Sequence, residues 1–381
     1  MKYALNDHIP PTPFYYYDME LLEQTLGRAQ AASERYGYRL HYAMKANVEP
    51  RILKSIARHG MGADCVSGWE VEAALKGGFP ASKIVFAGVG KSDSEMVYAL
   101  EKEIFCFNCE SLEELQVLSC LAAKHGVVAR VALRINPDVE PQTHKYISTG
   151  HGASKFGIAY NEVEKFMAAR SHFTNIKVVG LHFHIGSQIV KLEYFEQLAQ
   201  KAASLCRWFE QRGLPIEHLN MGGGLGINYQ NPDSELVPDF EGYMACFARH
   251  LPQDKTIHFE LGRSLVAQCG ELLTRVLYTK NTVSGDRFII VDAGLTELIR
   301  PALYAAHHHI ENLSGQGRTM ERYYIGGPIC ESSDIFAHDI EFPLSHRGDL
   351  LTIRSTGAYG SIMSSHYNCR PLAATYFSDN E

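Results

Sequence analysis

The sequence predicts an α/β protein, a (β/α)8 TIM barrel followed by a C-terminal all-β domain. Between about residues 39 and 261, short runs rich in β-formers alternate with longer amphipathic stretches. Eight such strands with their helices over roughly 230 residues have the length and rhythm of a barrel. After Arg263 helical periodicity fades, and short strands separated by turn residues dominate. A doubly wound open sheet is the alternative that the first pattern leaves open.

The predicted barrel strands are residues 40–44, 61–66, 84–87, 104–108, 127–135, 178–184, 218–221 and 257–260. Amphipathic helical patterns lie between them, for example at residues 67–76, 112–124 and 194–211. The later strands are predicted at residues 272–278, 288–291, 323–325 and 349–355. We therefore expect a barrel over residues 29–265 and a β domain over residues 266–381, with the N-terminal segment 1–28 joining the β domain.

Composition excludes several classes of function. The chain has 381 residues, 45% hydrophobic and 21% charged, and its net charge of −7 without a basic block argues against a nucleic-acid surface. No stretch approaches the ~18 apolar residues that a membrane span needs, and the start lacks the apolar core of a signal peptide. Nine scattered cysteines are typical of reduced thiols. We expect a cytoplasmic protein without membrane contact.

Chemically reactive residues recur where the predicted strands end. Lys45 follows the first strand, Asp64 lies in the second, and His184 closes the sixth. The seventh runs into a glycine-rich stretch at residues 222–226, and Glu260 ends the eighth. Because the carboxyl ends of barrel strands meet at one mouth, these groups are expected to share a pocket.

The residue types in this pocket indicate a particular cofactor chemistry. A lysine there can be a surface charge, an anion binder, or a desolvated amine that bonds an aldehyde; we expect a buried amine of the third kind. The glycine run permits close backbone approach, which suits a phosphate, although a plain tight turn is the alternative. Glu260 beside Arg263 is either a surface ion pair or a carboxylate facing a pyridine nitrogen. With His184 able to stack on a ring, these groups together meet the demands of pyridoxal phosphate.

Three other motifs carry less weight. The stretch Gly88-Val89-Gly90-Lys91-Ser92 hints at a nucleotide P-loop, but Val85 stands where that pattern requires glycine. Cys106 and Cys109 have metal-site spacing without a second pair, so buried strand thiols are the better interpretation. Residues 307–309 are all histidine, but adjacent helical side chains point in different directions and cannot all bind one ion. No metal is expected.

Longer motifs connect the chain to a family. They are Tyr42-Ala43-Met44-Lys45-Ala46-Asn47, His184-Ile185-Gly186-Ser187-Gln188, Leu298-Ile299-Arg300-Pro301-Ala302-Leu303-Tyr304, Gly327-Pro328-Ile329-Cys330-Glu331-Ser332 and Gly357-Ala358-Tyr359-Gly360. On these residues the chain resembles the alanine-racemase-like, fold-type III pyridoxal-phosphate decarboxylases, and most narrowly the diaminopimelate decarboxylases. The likeness covers nearly the whole chain.

The resemblance implies a cofactor role for each matching position. Lys45 would hold the cofactor covalently, and His184 would stack on its ring. The Glu260 side chain would face the ring nitrogen, with Asp64 also among the cofactor-binding residues. The phosphate would be held by a further set: Ser187, Gly224, the backbone of Glu260, Gly262 and Arg263, and the nearby Tyr359.

The resemblance also implies how a substrate is bound. Arg263, Arg300 and Tyr304, with Tyr359, would bind its distal carboxylate, and Glu331 its distal amino group. Cys330 would protonate the carbanion, a role open to a thiol of pKa near ~8.5. In this family the residues at positions 330 and 331 reach the partner's pocket, which implies a homodimer with shared active sites.

The expected reaction is decarboxylation of meso-2,6-diaminopimelate to L-lysine and CO2. Two arginines favour a second carboxylate on this amino-acid substrate. Decarboxylases of carboxynorspermidine, ornithine or arginine, an amino-acid racemase, and a silent regulator are the alternatives. Two departures from the family pattern bear on specificity: Leu261 replaces proline, and Ser333 replaces glycine.

Overall fold

The computed structural model describes residues 9–137, 139 and 155–379. Its strands are β1 Phe14–Tyr17, β2 Arg39–Ala43, β3 Gly62–Cys65, β4 Ile84–Phe86, β5 Cys106–Cys109, β6 Ala129–Arg134, β7 Ile176–His182, β8 His218–Asn220, β9 Thr256–Leu261, β10 Gly270–Asn281, β11 Arg287–Val291, β12 Ile310–Asn312, β13 Met320–Gly326, β14 Ile335–Pro343, β15 Leu350–Ile353 and β16 Ala374–Phe377. Its helices are α1 Met19–Tyr36, α2 Pro50–Arg58, α3 Gly68–Lys76, α4 Asp93–Glu101, α5 Leu112–Lys124, α6 Tyr160–Ala169, α7 Glu193–Gln211, α8 Phe240–Ala248, α9 Arg263–Val266 and α10 Arg300–Tyr304.

The chain divides into two compact units. The barrel unit comprises Leu26–Gly226 and Asp239–Gly262, and the sheet unit comprises the chain up to Thr25, Ile227–Pro238 and the chain from Arg263 onward. The predicted boundaries at 28/29 and 265/266 place residues 227–238 in the barrel domain. The contacts within the chain place them in the sheet unit instead.

Strands β2 to β9 form a closed parallel barrel in chain order. β9 closes it against β2, with Leu40 opposite Phe259 and His41 opposite Glu260. Outside the barrel, aromatic side chains of α7 and α8 pack against β9: the Phe195 and Tyr243 rings lie 4.8 Å apart, as do those of Phe247 and Phe259. The parallel order confirms the predicted TIM barrel.

Three consecutive strand-to-helix turns use the same local signal, a serine followed three residues later by glutamate. Ser67 and Ser111 cap α3 and α5 by accepting hydrogen bonds from the backbone N–H of Glu70 and Glu114. Ser92 and Glu95 form a reciprocal capping box at the start of α4. Each cap satisfies N–H groups that a helix start leaves unpaired, and so fixes where the helix begins.

A row of three histidines crosses the barrel interior. His41 Nε2 lies 2.9 Å from His258 Nδ1, and His258 Nε2 lies 3.0 Å from His218 Nδ1. His41 Nδ1 lies 3.1 Å from the Lys83 carbonyl, which can only accept, so this nitrogen carries the hydrogen. Each neutral ring then donates from Nδ1, and His41 and His258 accept at Nε2. Gly62 leaves the necessary space, since a Cβ there would lie 2.5 Å from His41 Nδ1.

The second unit is built on an eight-stranded sheet with a central order β12-β15-β10-β11-β13-β14. β1 extends it by pairing antiparallel with β10 and parallel with β16. Phe14, Tyr16, Leu273 and Leu350 are buried together on one face. This mostly-sheet unit confirms the predicted all-β domain, although β1, β12, β14 and β16 were not predicted.

Most predicted strand limits differ from the observed ones by one or two residues, and two of these differences bear on the site. β7 ends at His182, so His184 lies two residues beyond the strand that it was expected to close. Lys45 lies in a 3-10 turn, Met44–Ala46, directly after β2. No helix in the part of the chain that the structure describes is long and apolar enough to cross a membrane.

Candidate active site

Lys45 lies at the carboxyl end of the barrel, next to the end of β9. Met44 and Ala46 are buried on either side of it, whereas Lys45 itself is exposed, contrary to the expected buried amine. Gly262 packs against this turn: a Cβ there would lie 3.1 Å from the Cβ atoms of Ala43 and Ala46. The ammonium group is close enough to lower the pKa values of Asp64 and His184 electrostatically.

The Glu260 carboxylate is buried at the end of β9 and held by three side chains. Oε1 accepts hydrogen bonds from Asn108 Nδ2 at 3.0 Å and Asn220 Nδ2 at 2.6 Å, and Oε2 lies 2.9 Å from His182 Nε2. Burial alone would raise the pKa of Glu260, but His182, followed by His184 and His41, lowers it to about 2. Glu260 is therefore a buried, ionised carboxylate.

Asp64, at the end of β3, has a pKa shifted in the opposite direction. Burial and the charge of Glu260 raise its pKa well above the usual value, against the opposing effect of Lys45. Its Oδ1 is buried and has no hydrogen-bond partner among the described residues. Two neighbouring carboxylates whose pKa values are shifted in opposite directions are typical of a functional site, because their environments suit them to different roles.

His184 and the glycine-rich stretch lie against each other. The backbone N–H of Gly223 donates to His184 Nδ1 at 3.3 Å. Burial, then the charges of Lys45 and Arg134, keep the pKa of His184 well below 6.5, so the ring is neutral. Gly224 has φ +111°, and a Cβ there would lie 2.6 Å from the Gly186 carbonyl. Only glycine fits at this position, and the sharp turn brings its backbone beside the segment that carries Ser187.

A buried ionic network surrounds the same barrel end, and sequence reasoning missed it. Arg134 Nη1 lies 2.6 Å from Glu110 Oε1, and Glu110 also accepts from the backbone N–H groups of Gly88 and Gly157. Lys91, from the rejected P-loop motif, has a fully buried side chain and donates to Glu114 Oε1 at 2.6 Å. The network joins the loops that follow β4, β5 and β6.

The missed residues share a signal that was available in the sequence. Asn108, Arg134, His182 and Asn220 are each a buried polar residue at or next to the end of a barrel strand. In a barrel this position places a side chain at the functional end. The sequence does not show which partners these residues contact, because the partners are far away along the chain.

In the sheet unit, Arg263 and Arg300 are both buried and share Tyr229. Arg263 Nη1 donates to Tyr229 Oη at 2.7 Å, and the Arg300 guanidinium carbon lies 4.8 Å from the Tyr229 ring centroid. Burial would raise the pKa of Tyr229, but the two guanidinium groups lower it. Tyr359, with φ +58°, places its ring 4.9 Å from the Arg263 guanidinium carbon. Tyr304 ends α10, the helix that Arg300 begins.

Cys330 and Glu331 lie on an exposed loop between β13 and β14. The Cys330 backbone N–H donates to Asn368 Oδ1 at 3.3 Å, and Tyr367 Oη donates to Glu331 Oε1 at 2.5 Å. Beneath the loop, buried Asp334 accepts from the backbone N–H groups of Ile329 and Leu295. The loop therefore has a defined shape although its functional candidates face outward.

The barrel site fits pyridoxal phosphate. An ionised Glu260 suits a protonated ring nitrogen, and the unpartnered Asp64 Oδ1 is a buried polar atom that a polar ligand would satisfy. The strained turn at Gly224 brings backbone close enough to hold an anion. Lys45 supplies an amine at the same end of the barrel.

Comparisons with known proteins give the same picture. Residues 22–267 match the family model described as the pyridoxal-binding domain of pyridoxal-dependent decarboxylases. The chain is 49% identical over 371 residues to diaminopimelate decarboxylase of Bacteroides thetaiotaomicron, covering 97% of this chain and 96% of that protein. The enzyme of the same name from Pseudomonas aeruginosa is 43% identical over 370 residues, covering 97% and 88%. The crystal structure of Helicobacter pylori diaminopimelate decarboxylase complexed with L-lysine superposes with TM-score 0.92 at 38% identity, covering 98% of this chain and 93% of that one.

Proposed function

The chain belongs to the family of pyridoxal-dependent decarboxylases that includes the diaminopimelate decarboxylases, and we propose that it converts meso-2,6-diaminopimelate to L-lysine and CO2. The observation that carries this proposal is 40–49% identity, over nearly the whole chain, to several proteins of that name. The ionised Glu260 at the barrel end supports the same chemistry.

Lys45 would hold pyridoxal phosphate, His184 would lie against its ring, and Glu260 would keep the ring nitrogen protonated. When bound, the cofactor withdraws electrons from the α-carbon of an amino acid. Glu260 suits its role because three side chains hold its charge in place before any ligand arrives. The phosphate would be bound by the backbone around Gly224, Ser187 and the backbone of residues 260–263, with Tyr359 nearby.

We propose that Arg263, Arg300 and Tyr304 bind the distal carboxylate of the substrate. Both arginines are buried, and buried guanidinium groups recognise carboxylates strongly and with defined geometry. A diamine-forming decarboxylase has no distal carboxylate to bind, so this pair favours a diamino-dicarboxylic acid. Glu331 would bind the distal ammonium group.

We further propose a homodimer in which Cys330 and Glu331 complete the partner's site, with Cys330 as the proton donor. Their exposure on a loop of fixed shape supports this assignment. The enzyme is proposed to act in the cytoplasm, which remains a prediction from the sequence.

The proposal is tested by incubating the purified holoenzyme separately with meso-diaminopimelate, ornithine, arginine and carboxynorspermidine, and measuring CO2 and the amine product. We expect CO2 and L-lysine from meso-diaminopimelate alone. Release of a diamine from ornithine or arginine, without lysine formation, would contradict the substrate assignment.

A second measurement tests the cofactor site. Lys45→Ala should lose the visible absorbance of bound cofactor and its fixation by borohydride, whereas Lys54→Ala, at an exposed position on α2, should keep both. Equal absorbance and fixation in both variants would remove Lys45 from its proposed role.

A further inference from the structure

His308 is the buried member of the histidine run 307–309, and it lies between two arginines of the sheet unit. Its Nε2 is 2.7 Å from Arg300 Nη1, and its Nδ1 is 2.8 Å from the carbonyl oxygen of Arg354. His307, by contrast, is exposed. The three adjacent residues therefore have different environments, and only the middle one contacts Arg300 through a described hydrogen bond.

The hydrogen-bond partners fix the tautomer of His308. A carbonyl oxygen can only accept, so Nδ1 carries the hydrogen and donates to Arg354. A guanidinium group can only donate, so the lone pair of Nε2 accepts from Arg300. A protonated ring would have no lone pair for Arg300. Burial, and then the charge of Arg300, keep the pKa of His308 well below 6.5, which agrees with a neutral ring.

The support beneath His308 is itself rigid. Arg354 is ion-paired with Glu271 and Asp233, each at 2.8 Å, and with Glu311. The Tyr229 ring packs edge-on against His308, with centroids 5.0 Å apart. Its partners thus fix the imidazole at one edge and along its side, and the imidazole in turn orients the Arg300 guanidinium.

The partners of Arg300 leave its charge uncompensated. Arg318 and Arg322, elsewhere in the same unit, pair with Asp349 and Asp339 at 2.5 and 2.6 Å. Across the described ranges of the chain, no carboxylate lies within ion-pair distance of Arg300, whose hydrogen-bond acceptor is a neutral imidazole. A carboxylate at position 308 would neutralise Arg300 and compete with any anionic ligand.

We propose that His308 is a positioning and specificity-determining residue that orients Arg300 while leaving its positive charge available for the second carboxylate of a dicarboxylic substrate. This inference rests on the proposed function, which it deepens. It accounts for a buried histidine where an acidic residue would give the stronger bond to arginine.

The test compares His308→Leu, His308→Gln and His308→Glu with His307→Leu as the matched control. Leucine removes the acceptor, glutamine restores an acceptor without charge, and glutamate adds a competing charge. Three readouts are taken on the holoenzyme: KM and kcat with meso-diaminopimelate, Kd for pimelate by calorimetry, and Kd for cadaverine. Pimelate has two carboxylates, whereas cadaverine has two amines and no carboxylate.

For His308→Leu we expect KM and the pimelate Kd to rise about tenfold or more, the loss typical of one hydrogen bond to a charged group. kcat should change less than about threefold, because the interaction binds substrate and transition state equally. The cadaverine Kd should change as little, because cadaverine has no carboxylate for Arg300 to bind. His308→Gln should recover most of the pimelate affinity, and His308→Glu should bind pimelate at least as weakly as His308→Leu. His307→Leu should match the wild type.

The inference is overturned if His308→Leu binds pimelate as the wild type does, if pimelate and cadaverine weaken equally, or if His308→Glu binds pimelate more tightly than His308→Leu. Failure of the proposed function looks different, because the wild type would then release no CO2 from meso-diaminopimelate. The pimelate series would still decide the role of His308 in that event.

Discussion

The three-histidine row of the barrel should make the free energy of unfolding depend on pH in acid. Burial lowers the pKa of His41 from 6.5 to about 4, and the pKa of His218 is also lowered to about 4. At pH values between about 4 and 6.5, such a histidine binds fewer protons in the folded chain than in the unfolded chain. Its contribution to stability is therefore complete above pH 6.5 and is lost as the pH falls from 6.5 toward 4.

The magnitude follows from the two pKa values of His41. At pH 5 the unfolded chain holds nearly a full proton on this histidine and the folded chain holds about a tenth of one. Integrating that difference down from pH 8 gives a loss of about 2 kcal/mol from His41 alone. For a domain of this size, that loss corresponds to about 4–8 °C in Tm.

The assay is thermal unfolding at pH 8 and pH 5, with excess pyridoxal phosphate, for the wild type, His41→Gln and the control His125→Gln. His125 is exposed at the end of α5. His41→Gln should be less stable than the wild type at pH 8, but its Tm should fall about 4–8 °C less on acidification. If both variants lose as much Tm as the wild type between the two pH values, the assigned role of His41 is wrong.

Three further substitutions probe the barrel end. Glu260→Gln should lower kcat about 100-fold or more, because a preorganised charge is lost, while the cofactor remains bound. Steady-state rates and cofactor absorbance measure these two effects. A kcat within threefold of wild type would contradict the prediction. Gly224→Ala should release cofactor during dialysis, since its Cβ would lie 2.6 Å from a carbonyl oxygen. The control Gly126→Ala should retain cofactor, because Gly126 also has a positive φ but no neighbour within 4 Å. Equal retention in the two variants would refute the argument. Lys91→Met removes the ion-pair partner of the largely buried Glu114 and should cost about 3 kcal/mol, seen as a lower Tm. Exposed Lys102→Met should leave Tm unchanged, and equal Tm values in the two variants would show that the pair contributes little.

The barrel was predictable because each strand is a short apolar run followed by a helical pattern, and strand ends locate Lys45, Asp64 and Glu260 without coordinates. The sheet unit was harder, since strands such as β14 alternate polar and apolar residues weakly and are only half buried. Contacts were harder still. Nothing local to His308 indicates Arg300 or the carbonyl of Arg354, and Glu110 gives no sign of Arg134, 24 residues away. Such pairs arise from chain topology, which a linear pattern does not contain.

The carboxylate of Asp334 has a consequence for how the loop bearing Cys330 and Glu331 operates. Its two oxygens bind backbone N–H groups of Ile329 and Leu295, and its own carbonyl accepts from Gly327. A flexible loop loses conformational entropy when it binds a second molecule. This loop has already lost that entropy when the single chain folds. In the proposed homodimer, association through this preordered loop should therefore need little rearrangement of the loop.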